Sequence, residues 1–472
     1  MTDHPIAILG AGPVGLAAAA HLVERGEEFI LLEAGAGPGA TVREWAHVRL
    51  FSPWSYVVDE AARRLLEPSG WDSPAPDSYP TGSALVERYL EPLARLPQIA
   101  PSLRTRSRVA DITRAGADKL WSRGRDRLPF ELVVDGPHGR TRLRARAVID
   151  ATGTWHSPNP IGSDGLPVDG ETELADRITQ RIPDAGGVDR DRYAGRSTLV
   201  IGAGHSAFNA ILDLVNLAGS APDTRVTWAI RGQATGRLFG GGVNDTLARR
   251  GALGTMVQGM VESGRVRLIT DFRTTGLERR DDAVLVHGTD QTGSTREIGP
   301  FDEVVALTGF RPDHSLTSEL RVSFDPTVEA PPALAPLIDP NLHSCGTVRP
   351  HGAADLAHPE SDYYTVGMKS YGRAPTFLML TGYEQVRSVV AELVGDHEAA
   401  ARVELVLPET GVCSTDALAG DVRELASVGA GGAAGSDVAL AGATTGARTE
   451  LAHAADPNPG QSQDQAQGRC CG

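Results

Sequence analysis

The stretch "IAILGAGPVGLAAAAHLVERGEEFILLEA", residues 6–34, decides the fold. Its first four residues form a short apolar run with the character of a buried strand. Residues 13–26 are rich in helix formers and end on Gly26, a helix stop. "EFILLEA" then returns to strand-like residues. Between the first strand and the helix, Gly10, Gly12 and Gly15 stand in the spacing G-x-G-x-x-G, with Pro13 inside the turn. Each glycine has its own physical reason. Gly10 permits a tight turn, Gly12 lets the backbone approach a pyrophosphate, and Gly15 lets the helix pack on the strand. The helix N-terminus offers free N–H groups and a favourable dipole to phosphate. Glu33, at the end of the second strand, is placed to accept hydrogen bonds from a ribose hydroxyl. The unit reads as a dinucleotide site.

The pattern returns at residues 196–232, "RSTLVIGAGHSAFNAILDLVNLAGSAPDTRVTWAIRG". Gly202 and Gly204 repeat the first two glycines, Ser206 opens the helical run, and Ala207 stands where a third glycine would. Arg231 follows the second strand, at the place of the ribose-binding acid. A guanidinium there suits the 2′-phosphate of NADPH. Between the two units lie a helical pattern, "GSALVERYLEPLARL", short strands at "RVADI" and "FELVVDG", and the strand "ARAVIDATG". After the second unit "FDEVVALTG" repeats that last strand and turn. Two similar halves, one inserted into the other, account for the order.

The 472 residues exceed one ordinary domain, and a hydrophobic content of 41% suffices for real cores. A formal net charge of -15 argues against nucleic-acid or anionic-membrane partners. The apolar N-terminal run lacks a preceding basic segment and is broken by glycines, so it does not read as a signal peptide. Four cysteines make no disulfide framework and fit a reducing, cytoplasmic setting. From about Ser414 the chain is rich in Gly, Ala, Ser and Gln, a composition expected of a flexible tail. It ends "GRCCG", with Cys470 and Cys471 adjacent.

These motifs together resemble the two-dinucleotide-domain flavoproteins, the superfamily of flavin-containing monooxygenases and thioredoxin-reductase-like enzymes, over roughly residues 4–395. "IDATGTWHSPNP" and "VALTGFRPD" look like its two crossover segments. "DYYTVGMKSYGRAPTFLMLTGYEQVRSVVAEL" looks like its last flavin motif, with a helix aimed at the pyrimidine end of the flavin. The resemblance implies an α/β fold of two Rossmann-like dinucleotide-binding domains, the NADPH domain inserted into the FAD domain. The expected limits are 1–170 and 313–400 for FAD, 171–312 for NADPH, and 401–472 for a mostly flexible extension. It also places Trp45 and Arg49 of "REWAHVRLFSPW" beside the flavin, the Val109 backbone against the adenine, and Gly153 and Gly367 in the crossover and terminal flavin segments.

The chain departs from its relatives in three respects. It has no C-x-x-C, no F-x-G-x-x-x-H-x between His156 and Gly202, and no acid in "TVGMKS". "TGTWHSPNP" and "GAGHSA" are closest to the monooxygenase branch. "NLHSCGTVRPHG", "KSYGRAPTFLMLTGYEQVRSV" and "LPETGVC" resemble a bacterial flavoprotein subgroup encoded with arsenic-resistance functions. The expectation is an FAD- and NADPH-dependent oxidoreductase that oxygenates a small soft substrate with O2. Two alternatives stand beside it. One is a reductase passing electrons through Cys345, Cys413, Cys470 and Cys471. The other is a non-enzymatic flavin redox or metalloid-binding protein. Adjacent thiols on a tether suit a thiophilic metalloid. His343, Cys345, His351 and His358, with Asp355 and Glu360, fit no familiar metal spacing and read as a loop near the flavin edge. No side-chain nucleophile or general base stands out.

Overall fold

The structure, a computed structural model, describes residues 4–405 apart from 235, 241, 243, 244, 246, 343–347 and 376. Cys345, Cys413, Cys470, Cys471, His343 and the Gly/Ala-rich tail lie outside the described residues.

The chain opens with β1 (Ile6–Leu9), the helix Pro13–Glu24 and β2 (Phe29–Leu32). Both strands are buried on every residue, as parallel strands covered on two faces must be. Gly26, at φ +67°, turns the chain out of the helix. A helical stretch over 82–94 follows, with a π-type turn at Val86–Leu90. Pro92 explains part of this irregularity. It has no N–H for the Arg88 carbonyl four residues back, and the Trp71 indole donates to that carbonyl at 2.6 Å instead.

Strand β3 (Leu103–Arg104) then joins the first sheet. A three-stranded antiparallel sheet follows: β4 (Arg108–Arg114), β5 (Phe130–Gly136) and β6 (Gly139–Ala145). Next comes β7 (Ala147–Asp150). The second half contains β8 (Ile178–Thr179), β9 (Ser197–Ile201), the helix His205–Ala218 and β10 (Arg225–Ala229). The helix Ala248–Glu262 leads to β11 (Val266–Ile269). A second antiparallel sheet is formed by β12 (Arg273–Arg280), β13 (Ala283–Thr289) and β14 (Thr295–Phe301), and β15 (Glu303–Ala306) closes the half. Finally β16 (Tyr363–Thr365) and the helix Met379–Leu393 return to the first sheet.

The two parallel sheets have the orders β16-β7-β1-β2-β3 and β11-β10-β9-β15-β8. In each, the strand before the glycine turn lies between its partner across the helix and the strand before the crossover. Each half also carries one antiparallel three-stranded sheet, inserted before that last strand. The duplication seen in the sequence is therefore a duplication of topology. The first sheet takes strands from both sides of the second in the chain.

Candidate functional site

Both glycine turns sit where a parallel strand hands over to a helix. Gly10 has φ +93°, and a Cβ there would lie 2.8 Å from the Ala151 carbonyl oxygen. Gly202 repeats this, with φ +129° and a Cβ 2.2 Å from the Leu307 carbonyl oxygen. A Cβ on Gly15 would stand 1.9 Å from the Gly10 carbonyl oxygen, so strand and helix touch through bare backbone. By contrast, a Cβ on Gly12 or Gly204 would meet nothing within 4 Å. These two residues are the N-caps of the helices Pro13–Glu24 and His205–Ala218, and neither helix has a side-chain cap. Each turn thus offers uncapped N–H groups to open space, the arrangement that a phosphate fills. Ser206 lies in the first turn of the second helix, and Ala207 is buried.

Glu33 follows β2 and is 8% exposed. Its carboxylate accepts from the Ala11 N–H and the Gly35 N–H, both at 2.7 Å, which fixes it beside the first turn. Val109, in β4, pairs with Val134 next to a register shift and is half-buried. Arg231 is exposed just past β10.

The two crossover segments meet. Pro158 and Phe310 form an antiparallel bridge, and Asn159 Nδ2 donates to the Thr308 carbonyl at 3.0 Å. The Thr308 hydroxyl donates back to the Asn159 carbonyl, and Arg311 Nε donates to Asn159 Oδ1. Trp155 stacks on Phe310 at 5.1 Å, and Trp45 lies 6.5 Å from Trp155. Trp45 also packs beneath Gly82, where a Cβ would strike it. Glu44 accepts from the Trp155 indole at 2.8 Å and pairs with His156. Gly153 has φ +71° and open space at its Cβ. Arg49 is exposed, donates to the Tyr79 carbonyl at 2.7 Å, and sits two residues before Phe51, which contacts His205 of the second half.

Gly367 has φ +68° and lies against Val14, and a Cβ on Gly382 would also strike Val14. The helices Pro13–Glu24 and Met379–Leu393 therefore start side by side. The Gly367 N–H donates to Gln385 Oε1 at 2.7 Å. Gln385 Nε2 reaches His351 Nε2 at 2.9 Å, and His351 Nδ1 faces the Arg349 carbonyl. Burial lowers the His351 pKa, which fits a neutral ring donating through Nδ1.

Sequence reading missed a buried ion pair at this edge. Lys369 Nζ lies 2.7 Å from Asp150 Oδ2, with side-chain exposures of 1% and 0%. The Tyr363 hydroxyl donates to the same oxygen, and the Thr152 hydroxyl and amide donate to the other. Burial alone would raise the Asp150 carboxyl, but the Lys369 ammonium and the Thr152 donors hold it below the usual carboxylate range. Thr152 is exposed, so the network reaches the surface beside Gly153.

The side chains of the histidine loop enter separate networks. His351 and Glu360 are buried, and His358 is half-buried with Nδ1 against Ser323. Glu360 is taken by Arg114, Arg125 and the Arg321 amide, and Asp355 by Gly352 and Arg349. Proximity in the sequence does not bring these side chains to one point. Among the described residues no cluster of His, Cys, Asp and Glu could hold a metal ion, and no helix is long and apolar enough to cross a membrane.

Residues 8–72 match the family described as NAD(P)-binding Rossmann-like domain. No curated protein matches by sequence. Solved structures match along most of the chain. Bacillithiol disulfide reductase Bdr from Bacillus cereus is 18% identical, covering 82% of this chain and 99% of its own, with a TM-score of 0.60. Ornithine hydroxylase PvdA from Pseudomonas aeruginosa is 14% identical, covering 83% and 99%, with a TM-score of 0.54. Lactococcus lactis thioredoxin reductase is 17% identical, covering 83% and 99%, with a TM-score of 0.51. At these identities the likeness establishes the fold, and the chain has the fold of the two-dinucleotide-domain flavoproteins.

Proposed function

We propose that the protein is an FAD- and NADPH-dependent oxidoreductase of monooxygenase type, acting on a small soft substrate with O2. The observation that carries this is the pair of uncapped glycine turns at Gly12 and Gly204, each following the central strand of its own parallel sheet. Residues 1–170 and 313–400 would hold FAD. Gly10, Gly12, Pro13 and Gly15 receive the pyrophosphate, Glu33 the ribose, and the Val109 backbone the adenine. Trp45, Arg49, Gly153 and Gly367 line the flavin side. Residues 171–312 would hold NADPH on Gly202, Gly204 and Ser206, with Arg231 on the 2′-phosphate.

When bound, the flavin supplies hydride acceptance and reaction with O2. The chain's own groups bind and orient. The crossover stitch at Asn159 and Thr308 holds the two halves in register. The stacked Trp155 and Phe310 exclude water on one side. The Asp150–Lys369 pair fixes the backbone at Thr152 and Gly153. Fold likeness to a disulfide reductase and to a hydroxylase supports oxidoreduction, and the absence of C-x-x-C from the sequence favours O2 over a dithiol as acceptor. The resemblance to flavoproteins encoded with arsenic resistance suggests a thiophilic metalloid, with Cys470 and Cys471 as its first binding point.

The test is anaerobic mixing of the purified yellow protein with NADPH, then with O2. Bleaching by NADPH, followed by reoxidation coupled to one oxygen atom per substrate, supports the reading. Reoxidation by a disulfide but not by O2 transfers the reading to a thiol reductase. A colourless protein that ignores NADPH removes both.

A further inference from the structure

Arg49 and Arg249 belong to different halves of the molecule, yet both converge on Tyr79. Arg49 Nη1 donates to the Tyr79 carbonyl at 2.7 Å, and the Arg249 guanidinium carbon lies 5.7 Å from the centre of the Tyr79 ring. Among the described residues neither guanidinium has a carboxylate partner. Burial, and then the nearby Arg49 charge, pull the Arg249 pKa below its ordinary value. Two arginines brought to one tyrosine, with no carboxylate partner for either among the described residues, offer an anion two charged donors at one place.

Both residues are held by rigid backbone. Arg49 bridges Thr81, and its neighbours bond across the same ribbon, Leu50 N–H to Pro80 and Gly82 N–H to the Val48 carbonyl. Arg249 lies in the first turn of the helix Ala248–Glu262. The buried pair Arg250–Asp245, at 2.7 and 2.8 Å, anchors that turn, and Asp245 also accepts from the Leu247 N–H. The ring of Phe51, two residues beyond Arg49, lies tilted against His205 at 5.5 Å, so the Arg49 ribbon lies near the start of the helix His205–Ala218. Burial holds the His205 pKa down to about 4, so this ring adds no competing charge at neutral pH.

We infer that Arg49 and Arg249 form a receptor for a phosphate-type oxyanion bridging the two halves of the molecule. Two guanidinium forks that share one tyrosine neighbour suit an anion with several acceptor oxygens. Such a ligand would draw the halves together as it binds. The inference deepens the proposed function and rests on it for the biological source of the anion, but not for the site.

The experiment uses the FAD-loaded protein and two probes, inorganic pyrophosphate and NADP+, by isothermal titration calorimetry. The proteins are wild type, Arg49→Gln, Arg249→Gln and Arg231→Gln. Loss of one charged hydrogen-bonding partner should weaken pyrophosphate roughly 10- to 150-fold in Arg49→Gln and in Arg249→Gln. Relief of like-charge contact should leave the ligand-free melting temperature of Arg249→Gln equal to or above wild type. NADP+ weakened in parallel places the anion on the nucleotide. NADP+ unchanged while pyrophosphate weakens places it on another reactant. Wild-type pyrophosphate affinity in both variants overturns the site. So does an equal loss in Arg231→Gln, which would show a general charge effect. FAD content is read separately by flavin absorbance. A wild-type protein without FAD removes the proposed function and leaves the pyrophosphate result standing.

Discussion

Gly12→Val separates a binding role from a structural one more cleanly than any other substitution in the first turn. Gly12 has φ −79° and ψ −173°, an extended conformation that valine adopts readily. Its Cβ would meet nothing within 4 Å. Valine is a poorer N-cap than glycine, at a cost of about 1 kcal/mol. Restricting the unfolded chain returns about 0.4–1 kcal/mol. The two nearly cancel, so the FAD-free variant should unfold within about 1 kcal/mol of FAD-free wild type. Yet the isopropyl group would fill the space in front of the uncapped N–H groups, where a pyrophosphate must sit. Each charged hydrogen bond lost there is worth about 1.5–3 kcal/mol, so two lost bonds suffice to empty the site at micromolar FAD. The comparison is Gly15→Ala, whose methyl would stand 1.9 Å from the Gly10 carbonyl oxygen. It must push helix from strand and should cost about 1–3 kcal/mol or more. The assay is the flavin-to-protein absorbance ratio, with thermal unfolding of the FAD-free forms. A folded Gly12→Val protein with full flavin refutes the reasoning, as does Gly15→Ala with unchanged stability.

In the second half, Gly204→Val should keep FAD and abolish tight NADPH binding, measured by titration of the yellow protein; loss of FAD instead would show that the halves are not independent sites. Arg231→Ala should raise the KM for NADPH roughly 10- to 150-fold and leave that for NADH nearly unchanged, and an equal effect on both would remove Arg231 from the 2′-phosphate. Lys369→Met should cost about 3–5 kcal/mol in urea unfolding by stranding the Asp150 carboxylate, and Asp150→Asn with Lys369→Met should recover most of it. Because the fold depresses the Asp150 pKa, this stability is present above the unfolded value near 3.9 and fades as pH falls through the folded one; the double variant should lose that acid-side slope, and an unchanged slope would assign it to other carboxylates. Deleting residues 415–472 should leave reduction by NADPH intact and weaken turnover only at low concentrations of a thiophilic substrate, whereas identical turnover at every concentration would make Cys470 and Cys471 incidental.

The strand–helix–strand units were legible because their signals are local. Four buried residues, a glycine spacing and a terminal acid or base all lie within about 35 positions, and the turn they predict is the turn that forms. What sequence could not show depends on distant partners. Asp150 was visible in "IDATG" and Lys369 in "TVGMKS", but 219 positions separate them. The absence of an acid in the second motif read as a simple departure, when the residue there is a base neutralising the first motif. A lysine between residues that otherwise bury was the available signal. The histidine loop depends on distant partners in the same way. His351 and His358 are close in sequence, but a short helix at Ala353–Leu356 lies between them and sends each into a different network. Arg49 is expected beside the flavin from its neighbourhood; the sequence does not show that it donates to the Tyr79 carbonyl or that the Arg249 charge of the other half acts near it.

The third glycine shows how far the duplication extends. Gly10 and Gly202 face the same constraint, a carbonyl of the neighbouring crossover, and both remain glycine. Gly15 faces the Gly10 carbonyl, but its counterpart Ala207 carries a methyl and is still fully buried. The helices begin differently. Leu16 N–H bonds to the Gly12 carbonyl four residues back, and its counterpart Phe208 N–H bonds to the Gly204 carbonyl in the same way, but the Gly204 carbonyl also accepts from the Ala207 N–H three residues back. That added bond tightens the first turn of the second helix. The second turn thus keeps the glycines that the crossover and the open N-cap require, and releases the one that close helix–strand contact requires. Spacing alone would score it as a weaker motif, but its geometry at Gly202 and Gly204 is as complete as that of the first.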